Sequence, residues 1–147
     1  MKALTVWAPW SSLIALGVKP YEFRGWAPPK SLVGERIAIH AGARAVRVSE
    51  VRAMLMNIAR NCLKPEAQTY LERLKHAPGL APLGHVVCTV RLGKPVRADT
   101  IVGEFGIAVN DSDREGTFNW AWPMLDVEPL EPPVPARGAQ GLWDWTP

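Results

Sequence analysis

The sequence has few of the residues that usually bind metals or form disulfides. Cys62 and Cys88 are its only cysteines, and His40, His76 and His85 show no ligand spacing with them. Structural zinc sites need four such ligands, usually in close pairs, so we expect no metal and no cofactor. Two isolated thiols are typical of proteins from a reducing cytosol.

Long apolar runs are also missing. A transmembrane helix needs about 20 consecutive apolar residues, and no run approaches that length. The N-terminal MKALTVWAPW lacks the apolar segment and cleavage site of a signal peptide. We therefore expect a soluble, cytoplasmic protein without membrane contact. The 147 residues, 48% of them hydrophobic, are enough for one ordinary domain with its own core.

Acidic residues are scarce in the first two thirds of the chain. Residues 1–97 contain fifteen Lys and Arg against five Asp and Glu, whereas residues 98–147 contain two against nine. This asymmetry indicates a basic face, which suits a partner that carries phosphates. Alternatively, the two halves neutralise each other in the folded protein, and charge alone does not decide between these interpretations.

Strands dominate the predicted secondary structure. Alternating apolar residues and turn residues predict strands at 2–6, 21–26, 34–42, 85–98 (interrupted at Gly93) and 117–122, where Phe118, Trp120 and Trp122 share one face. Helices are predicted at 8–17, 49–61 with Ser49 as N-cap, and 65–74. Two or three helices packed on a small, barrel-like sheet give an α+β class.

Two further segments are predicted as irregular or extended. Residues 110–116 form a polar turn or mobile loop, and residues 125–138 form an extended edge rich in proline. Proline cannot donate a ladder hydrogen bond, so this density of proline argues against a central strand.

The stretch GVKPYEFRGW combines three charges with three large aromatic residues. In an extended strand Glu22 and Arg24 point one way and Tyr21 and Phe23 the other, so we expect the two aromatics to face the core. Lys19 precedes Pro20 and leans over the Glu22 face from the entry turn. An exposed ion pair of about 0–1 kcal/mol without function would have the same pattern.

Gly17, Lys19, Glu22 and Arg24 together spell GxKxxExR. This motif resembles the signature of the activating signal cointegrator homology (ASCH) domain, a family of the PUA-like superfamily. The segments ALTVWAPWSSLIALGVK, RIAIHAG and GTFNWAWPMLDVEPLEPPVPARGAQGLWDW are similar to the opening, third and closing parts of that family. The resemblance covers nearly all of residues 1–147, as a single ASCH domain.

The resemblance implies a small PUA-like β-barrel with flanking helices and a cleft beside it. The Lys, Glu and Arg of the motif line that cleft in the family, and nucleic acid, especially RNA, is the expected ligand. Some members resemble single-stranded RNA nucleases, and others resemble amidohydrolases of acetylated cytidine. The amidohydrolase pattern has Thr where this chain has Glu22, and often Gln where it has Ala8, so the known hydroxyl nucleophile is missing.

Several other residues are candidates for nucleic-acid contact. Trp7 and Trp26 flank the motif and are the better candidates for base stacking, whereas the other tryptophans are expected in the core. His40 ends a strand, and a lone His there is more often structural than functional. Arg44, Arg47, Arg52 and Arg60 form either a phosphate track or the solvated face of a helix.

Three hypotheses follow. The first is a module that binds single-stranded RNA, with DNA as the alternative nucleic acid, and that has metal-independent ribonuclease activity. Lys19, Glu22 and Arg24 would then be catalytic, with Lys19 as general acid or phosphate stabiliser and a hydroxyl from Tyr21, Ser112 or Thr117 assisting. The second is a nucleoside or small-molecule amidohydrolase that uses the same cleft. The third is an interaction protein whose cleft is vestigial.

Overall fold

The computed structural model describes residues 1–105 and 119–147. Within them the strands and helices follow in the order β1 (Lys2–Val6), α1 (Trp10–Ala15), β2 (Tyr21–Arg24), β3 (Arg36–Ala41), α2 (Val48–Met56), α3 (Ala67–His76), β4 (His85–Leu92), β5 (Val96–Arg97), α4 (Val102–Phe105), β6 (Trp120–Pro135) and β7 (Leu142–Asp144). Short 3-10 turns lie at 30–32, 59–61, 78–80 and 98–101.

The described strands form one curled, mixed sheet. Its order is β2-β6-β4-β3-β1-β7. The short strand β5 lies off this path and pairs with the first two residues of β6. The pair β1 and β3 is parallel, and the other pairs are antiparallel. The sheet is therefore a half-barrel with helices against it, which confirms the predicted α+β class and small barrel-like fold.

The hydrophobic core has two main parts that meet at α1. One part joins Ile14 of α1 to strand residues such as Ile39 and the fully buried Trp122. The other joins Leu13 of α1 to residues of α2 and α3 such as Met54. Because consecutive residues of α1 enter different clusters, this short helix fixes the two longer helices relative to the sheet. None of the helices in the described ranges has the length and apolar character needed to cross a membrane.

Two glycines have specific backbone roles. Gly17 has φ +74° and follows the end of α1, as expected for a residue that stops a helix. Gly93 separates β4 from β5, where an added Cβ would lie 2.6 Å from Cβ of Pro123. Only glycine lets this part of the chain approach β6 so closely, and the predicted interruption at Gly93 is confirmed.

Some boundaries differ from the sequence predictions. The second helix ends at Met56 instead of residue 61, and its N-cap is Arg47, so the assignment of Ser49 as N-cap is wrong. After Asn57 the chain continues as a separate 3-10 turn at 59–61. The predicted turn at 110–116 and the positions of Thr117 and Phe118 lie outside the described residues.

The proline-rich segment is part of a strand, β6, which lies between β2 and β4 in the sheet order. Its first residues, 120–123, pair with β2, but in the described part of the chain residues 125–135 have β4 as their strand partner. The predicted extended edge is therefore present in the second half of β6. The prolines did not exclude β6 from an internal position in the sheet order. Among the described residues, β6 is internal at 120–123, whereas its proline-rich half is paired along one side.

Candidate functional site

A large open cleft of about 1320 Å³ lies between the sheet and the second helix. One side, which we call the sheet wall, consists of Thr5, Lys19, Glu22, Arg24, His40 and the C-terminal segment 136–141. The opposite side, the helix wall, consists of Glu50, Ala53, Asn57, Arg60 and Asn61. Trp7, Trp10 and Gly42 also line the cleft.

The motif residues are positioned by the end of α1 and by β6. The backbone N–H of Lys19 donates to the carbonyl of Leu13 at 3.1 Å, which fixes the turn after α1. Glu22 then lies opposite Trp122 of β6 in an antiparallel pair. β6 is an internal strand here and supports β2 at the end of the sheet, and Glu22 and Arg24 both line the cleft.

Glu22 bridges the two cations of the motif. Its Oε1 lies 3.1 Å from Nε of Arg24, and its Oε2 lies 3.5 Å from Nζ of Lys19. Lys19 also donates to the carbonyl of Tyr21 at 2.5 Å, and Arg24 donates through Nη2 to the carbonyl of Thr5 at 2.8 Å. All three side chains are thus held by hydrogen bonds before any ligand binds.

Lys19 and Glu22 of this cluster are buried, whereas the side chain of Arg24 is 22% exposed. Lys19 is 3% exposed and Glu22 is 8% exposed, so the alternative of a solvated surface ion pair does not describe it. Tyr21 and Phe23, by contrast, are only half-buried. The expectation that these two aromatics face the core is wrong, because neither belongs to a hydrophobic core cluster of the described residues, whereas Glu22 on the other face of β2 is buried and pairs with both cations.

The hydroxyl of Tyr21 lies away from the cleft. It donates to Oε2 of Glu104 at 2.5 Å beside a smaller cavity of about 450 Å³. Burial, together with the hydrogen bond to Glu104 and its negative charge, raises the pKa of Tyr21 to about 12. Tyr21 is therefore a poor candidate for the assisting hydroxyl, and the other two candidates, Ser112 and Thr117, lie outside the described residues.

His40 ties the C-terminal segment to the sheet. Its Nε2 lies 2.9 Å from the carbonyl of Ala136, which can only accept, so Nε2 carries a hydrogen. Its Nδ1 lies 3.2 Å from Oγ1 of Thr5, and that hydroxyl donates its single hydrogen to the carbonyl of Ala139 at 2.8 Å. Three partners surround the Thr5 oxygen, because Nε1 of Trp143 donates to it at 3.1 Å.

The fit of this segment depends on Gly138. An added Cβ there would lie 2.5 Å from Nδ1 of His40 and 2.9 Å from Oγ1 of Thr5. His40 is 3% exposed. The geometry thus gives His40 a structural task, and its predicted contact with nucleic acid stays a prediction.

Of the residues predicted to stack on bases or to contact phosphates, some line the cleft and others do not. Trp7 is 56% exposed and lines the cleft, whereas Trp26 is 41% exposed, packs edge-to-face on Trp122 and does not line it. Arg60 is exposed and lines the cleft. Arg47 is exposed but lies outside the lining residues, and Arg44 packs over Trp7.

Several residues that line the cleft were not predicted from the sequence. Asn57, Asn61 and Arg137 line the cleft, as does Thr5. The glycine-rich ARGAQG before the last strand was a usable signal for close backbone packing. The Asn side chains gave none, because the chain was expected to continue as helix through residue 61.

The cleft carries excess positive charge. Among its described lining residues, four are cations (Lys19, Arg24, Arg60 and Arg137), and two are carboxylates (Glu22 and Glu50). Such a surface attracts anions. Within residues 1–105 and 119–147 no group of three or more His, Cys, Asp and Glu side chains is arranged to hold a metal ion.

No protein-family model matches the chain, and no curated protein matches it in sequence. Solved structures do match in three dimensions. The crystal structure of the ASCH protein from Zymomonas mobilis aligns with a TM-score of 0.54 and 18% identity, over 99% of this chain and 87% of that one. Two single-substitution variants of the same protein align equally well, at 19% and 18% identity.

Proposed function

We propose that this chain, which has the ASCH-domain fold, acts as one domain that binds single-stranded nucleic acid, preferentially RNA, in the cleft between the sheet wall and the helix wall. The observation that carries the proposal is the combination of excess cations with an exposed tryptophan in one cleft. Phosphates are attracted by the cations, and an unstacked base can lie on the ring of Trp7.

Arg24 and Arg60 are the better phosphate contacts. Arg24 uses Nε and Nη2 for protein oxygens, and its Nη1 has no partner among the described residues, so part of its donor fork remains for a ligand. Arg60 is exposed, so it can reach a phosphate at little structural cost. Lys19 is nearly enclosed, and the described residues supply oxygen partners for two of its three donors.

Ribonuclease activity is the finer part of the proposal. Cleavage of RNA needs a proton donor for the leaving oxygen and positive charge near the phosphoryl oxygens. Lys19 would serve as the acid or as a fixed charge, Arg24 would stabilise the phosphoryl oxygens, and Glu22 would hold both in place. The proposal of binding does not depend on this step.

A binding titration tests the proposal. A fluorescein-labelled RNA octamer, and a DNA octamer of the same sequence, are titrated with protein at 50 and 200 mM NaCl, and anisotropy gives the dissociation constants. Binding through phosphates must weaken steeply with salt, with a slope of about −0.7 per phosphate contact for single strands. Arg60→Ala should reduce that slope by about 0.7, because one contact is lost.

Arg73→Ala is the matched control. Arg73 is also an exposed arginine on the helical side, but it does not line the cleft, so the slope should not change. Absence of RNA binding at 50 mM salt would contradict the proposal, as would equal effects of the two substitutions. Incubating the labelled RNA with protein and EDTA, followed by gel analysis, tests metal-independent cleavage separately.

A further inference from the structure

Trp7 is held in a fixed, exposed position. It follows β1 directly, is 56% exposed and lines the cleft. The Cδ1 edge of its ring lies against Gly42, where an added Cβ would approach to 3.1 Å. Because Gly42 has no side chain, its backbone contacts the edge of the Trp7 ring, which a Cβ would displace.

Arg44 covers one face of this ring. Its guanidinium carbon lies 4.0 Å from the centre of the Trp7 ring and 5.9 Å from that of Trp10. Its Nη2 lies 2.8 Å from Oε1 of Glu50 on α2. A planar guanidinium that stacks on an indole while a carboxylate anchors it has little freedom to turn towards a phosphate.

The guanidinium group of Arg44 lies in an unfavourable environment. Its Nε is buried and has no hydrogen-bond partner in the described part of the chain. An arginine that served only as a mobile phosphate contact would keep this donor in water. The stacked arrangement leaves the donor unpaired, which indicates that contact with the two indoles sets its place.

We infer that Arg44 is a positioning residue that holds Trp7 as a ready-made platform, on whose open face one base of the bound strand stacks. This inference rests on the proposed function. The inference differs from both alternatives given for Arg44, a phosphate track and a solvated helix face, because Arg44 acts on the ligand through Trp7. A ring that is already ordered loses little freedom on binding, which raises the affinity for the base.

A fluorescent base tests this role directly. An RNA heptamer with one central 2-aminopurine is titrated with parent protein, Trp7→Leu, Arg44→Met, Arg44→Lys and the double variant Trp7→Leu/Arg44→Met. Stacking quenches 2-aminopurine, so the quench reports the platform and anisotropy reports affinity. Arg73→Met is the control for loss of an arginine outside the cleft, and thermal melts monitor folding.

The expected results distinguish a positioning role of Arg44 from a direct charge contact between Arg44 and the RNA. Trp7→Leu should weaken binding about tenfold and remove the quench. Arg44→Met should weaken binding about threefold and reduce the quench, since the platform is less ordered, and Arg44→Lys should behave like Arg44→Met because an ammonium cannot stack as a plane. In the Trp7→Leu background Arg44→Met should add almost nothing.

Several outcomes would overturn the inference. An unchanged quench in Trp7→Leu would show that the base does not lie on this ring. If Arg44→Lys kept the affinity and the quench of the parent, Arg44 would be a charge contact. The same would follow if Arg44→Met still weakened binding about threefold in the Trp7→Leu background. If the parent protein does not bind the heptamer at all, the proposed function itself fails, which is a distinct result.

Discussion

On the sheet wall Lys19 and Glu22 are 3% and 8% exposed, whereas on the helix wall Asn57 and Arg60 are exposed to solvent. Both walls present polar groups to the same cleft. On the sheet wall these groups are ordered by one another and by backbone carbonyls, and on the helix wall they are ordered mainly by their own short turn. The polar groups of the sheet wall therefore contribute to the fold itself, whereas those of the helix wall can change with less effect on the fold.

Among the substitutions that test this comparison, Glu22→Leu should change the stability most. The substitution removes the carboxylate that two cations share and leaves the buried Lys19 with the carbonyl of Tyr21. Breaking a buried ion pair on one side costs about 3–5 kcal/mol, and urea denaturation should show a loss of that size in the free energy of unfolding.

Glu35→Leu provides the control for that measurement, because Glu35 is exposed and surface changes stay within about 0.5 kcal/mol. A loss below about 1 kcal/mol for Glu22→Leu would mean that water solvates the motif charges in solution. The two walls would then not differ as described.

Gly138→Ala should have the next largest effect. The new methyl group would collide with the His40 ring and with Thr5, and overpacking of this kind costs about 1–3 kcal/mol. Thermal unfolding should show the loss. Gly79→Ala is the control, because an added Cβ at Gly79 meets nothing within 4 Å; equal melting temperatures of the two variants would argue against a tightly packed C-terminal segment.

Tyr21→Phe tests whether the side chain of Tyr21 lies outside the cleft, which Phe23, two residues later, lines. Loss of the hydrogen bond to Glu104 should lower the free energy of unfolding by about 0.5–1.5 kcal/mol, while RNA affinity stays unchanged because Tyr21 does not line the cleft. A fall in affinity would place Tyr21 in the site.

The same variant gives a pH signature. The pKa of Tyr21 is raised to about 12 in the folded protein, above about 10 for an unfolded chain. The folded state therefore holds this proton more tightly, and the stability that it contributes is complete below pH 10 and is lost as the pH rises towards 12. Comparison of the parent with Tyr21→Phe in urea melts across this range isolates the effect.

The smallest effect is expected from Glu22→Gln on binding. Removal of one negative charge from the cleft should strengthen nonspecific RNA binding about threefold at low salt, as measured by anisotropy. Loss of affinity or selectivity would instead indicate that the carboxylate contacts the ligand.

The enzyme alternative can be examined with the same two proteins. By the resemblance, Glu22 stands where the amidohydrolase pattern has Thr, and its carboxylate is paired with Lys19 and Arg24, so we expect neither the parent nor Glu22→Gln to hydrolyse acetylated cytidine. Chromatography would detect the acetate, and its release by the parent protein would support the amidohydrolase hypothesis.

Local signals explain what the sequence predicted correctly. The GxKxxExR spacing placed Glu22 and Arg24 on one face of β2, and Gly17 and Gly93 marked the ends of α1 and β4. These features depend on neighbours within a few residues, so a pattern of alternation or a single glycine is enough to indicate them.

The remainder of the site depends on distant contacts. His40 meets a carbonyl that lies 96 residues later in the chain, and Arg24 reaches the carbonyl of Thr5, 19 residues earlier. No local pattern specifies such partners. The same holds for the burial of β2: alternation showed that its charges and aromatics face opposite ways, but only the position of β2 against β6 decides which side is enclosed.

The second half of β6 has a consequence for behaviour at high concentration. Four of the residues from 125 to 135 are prolines, and in the described part of the chain this half is paired with β4 alone. An unpaired strand side normally invites a strand from another molecule, and repeated absence of N–H donors makes such sheet extension unfavourable. The prolines thus protect a long open edge of the half-barrel against intermolecular aggregation.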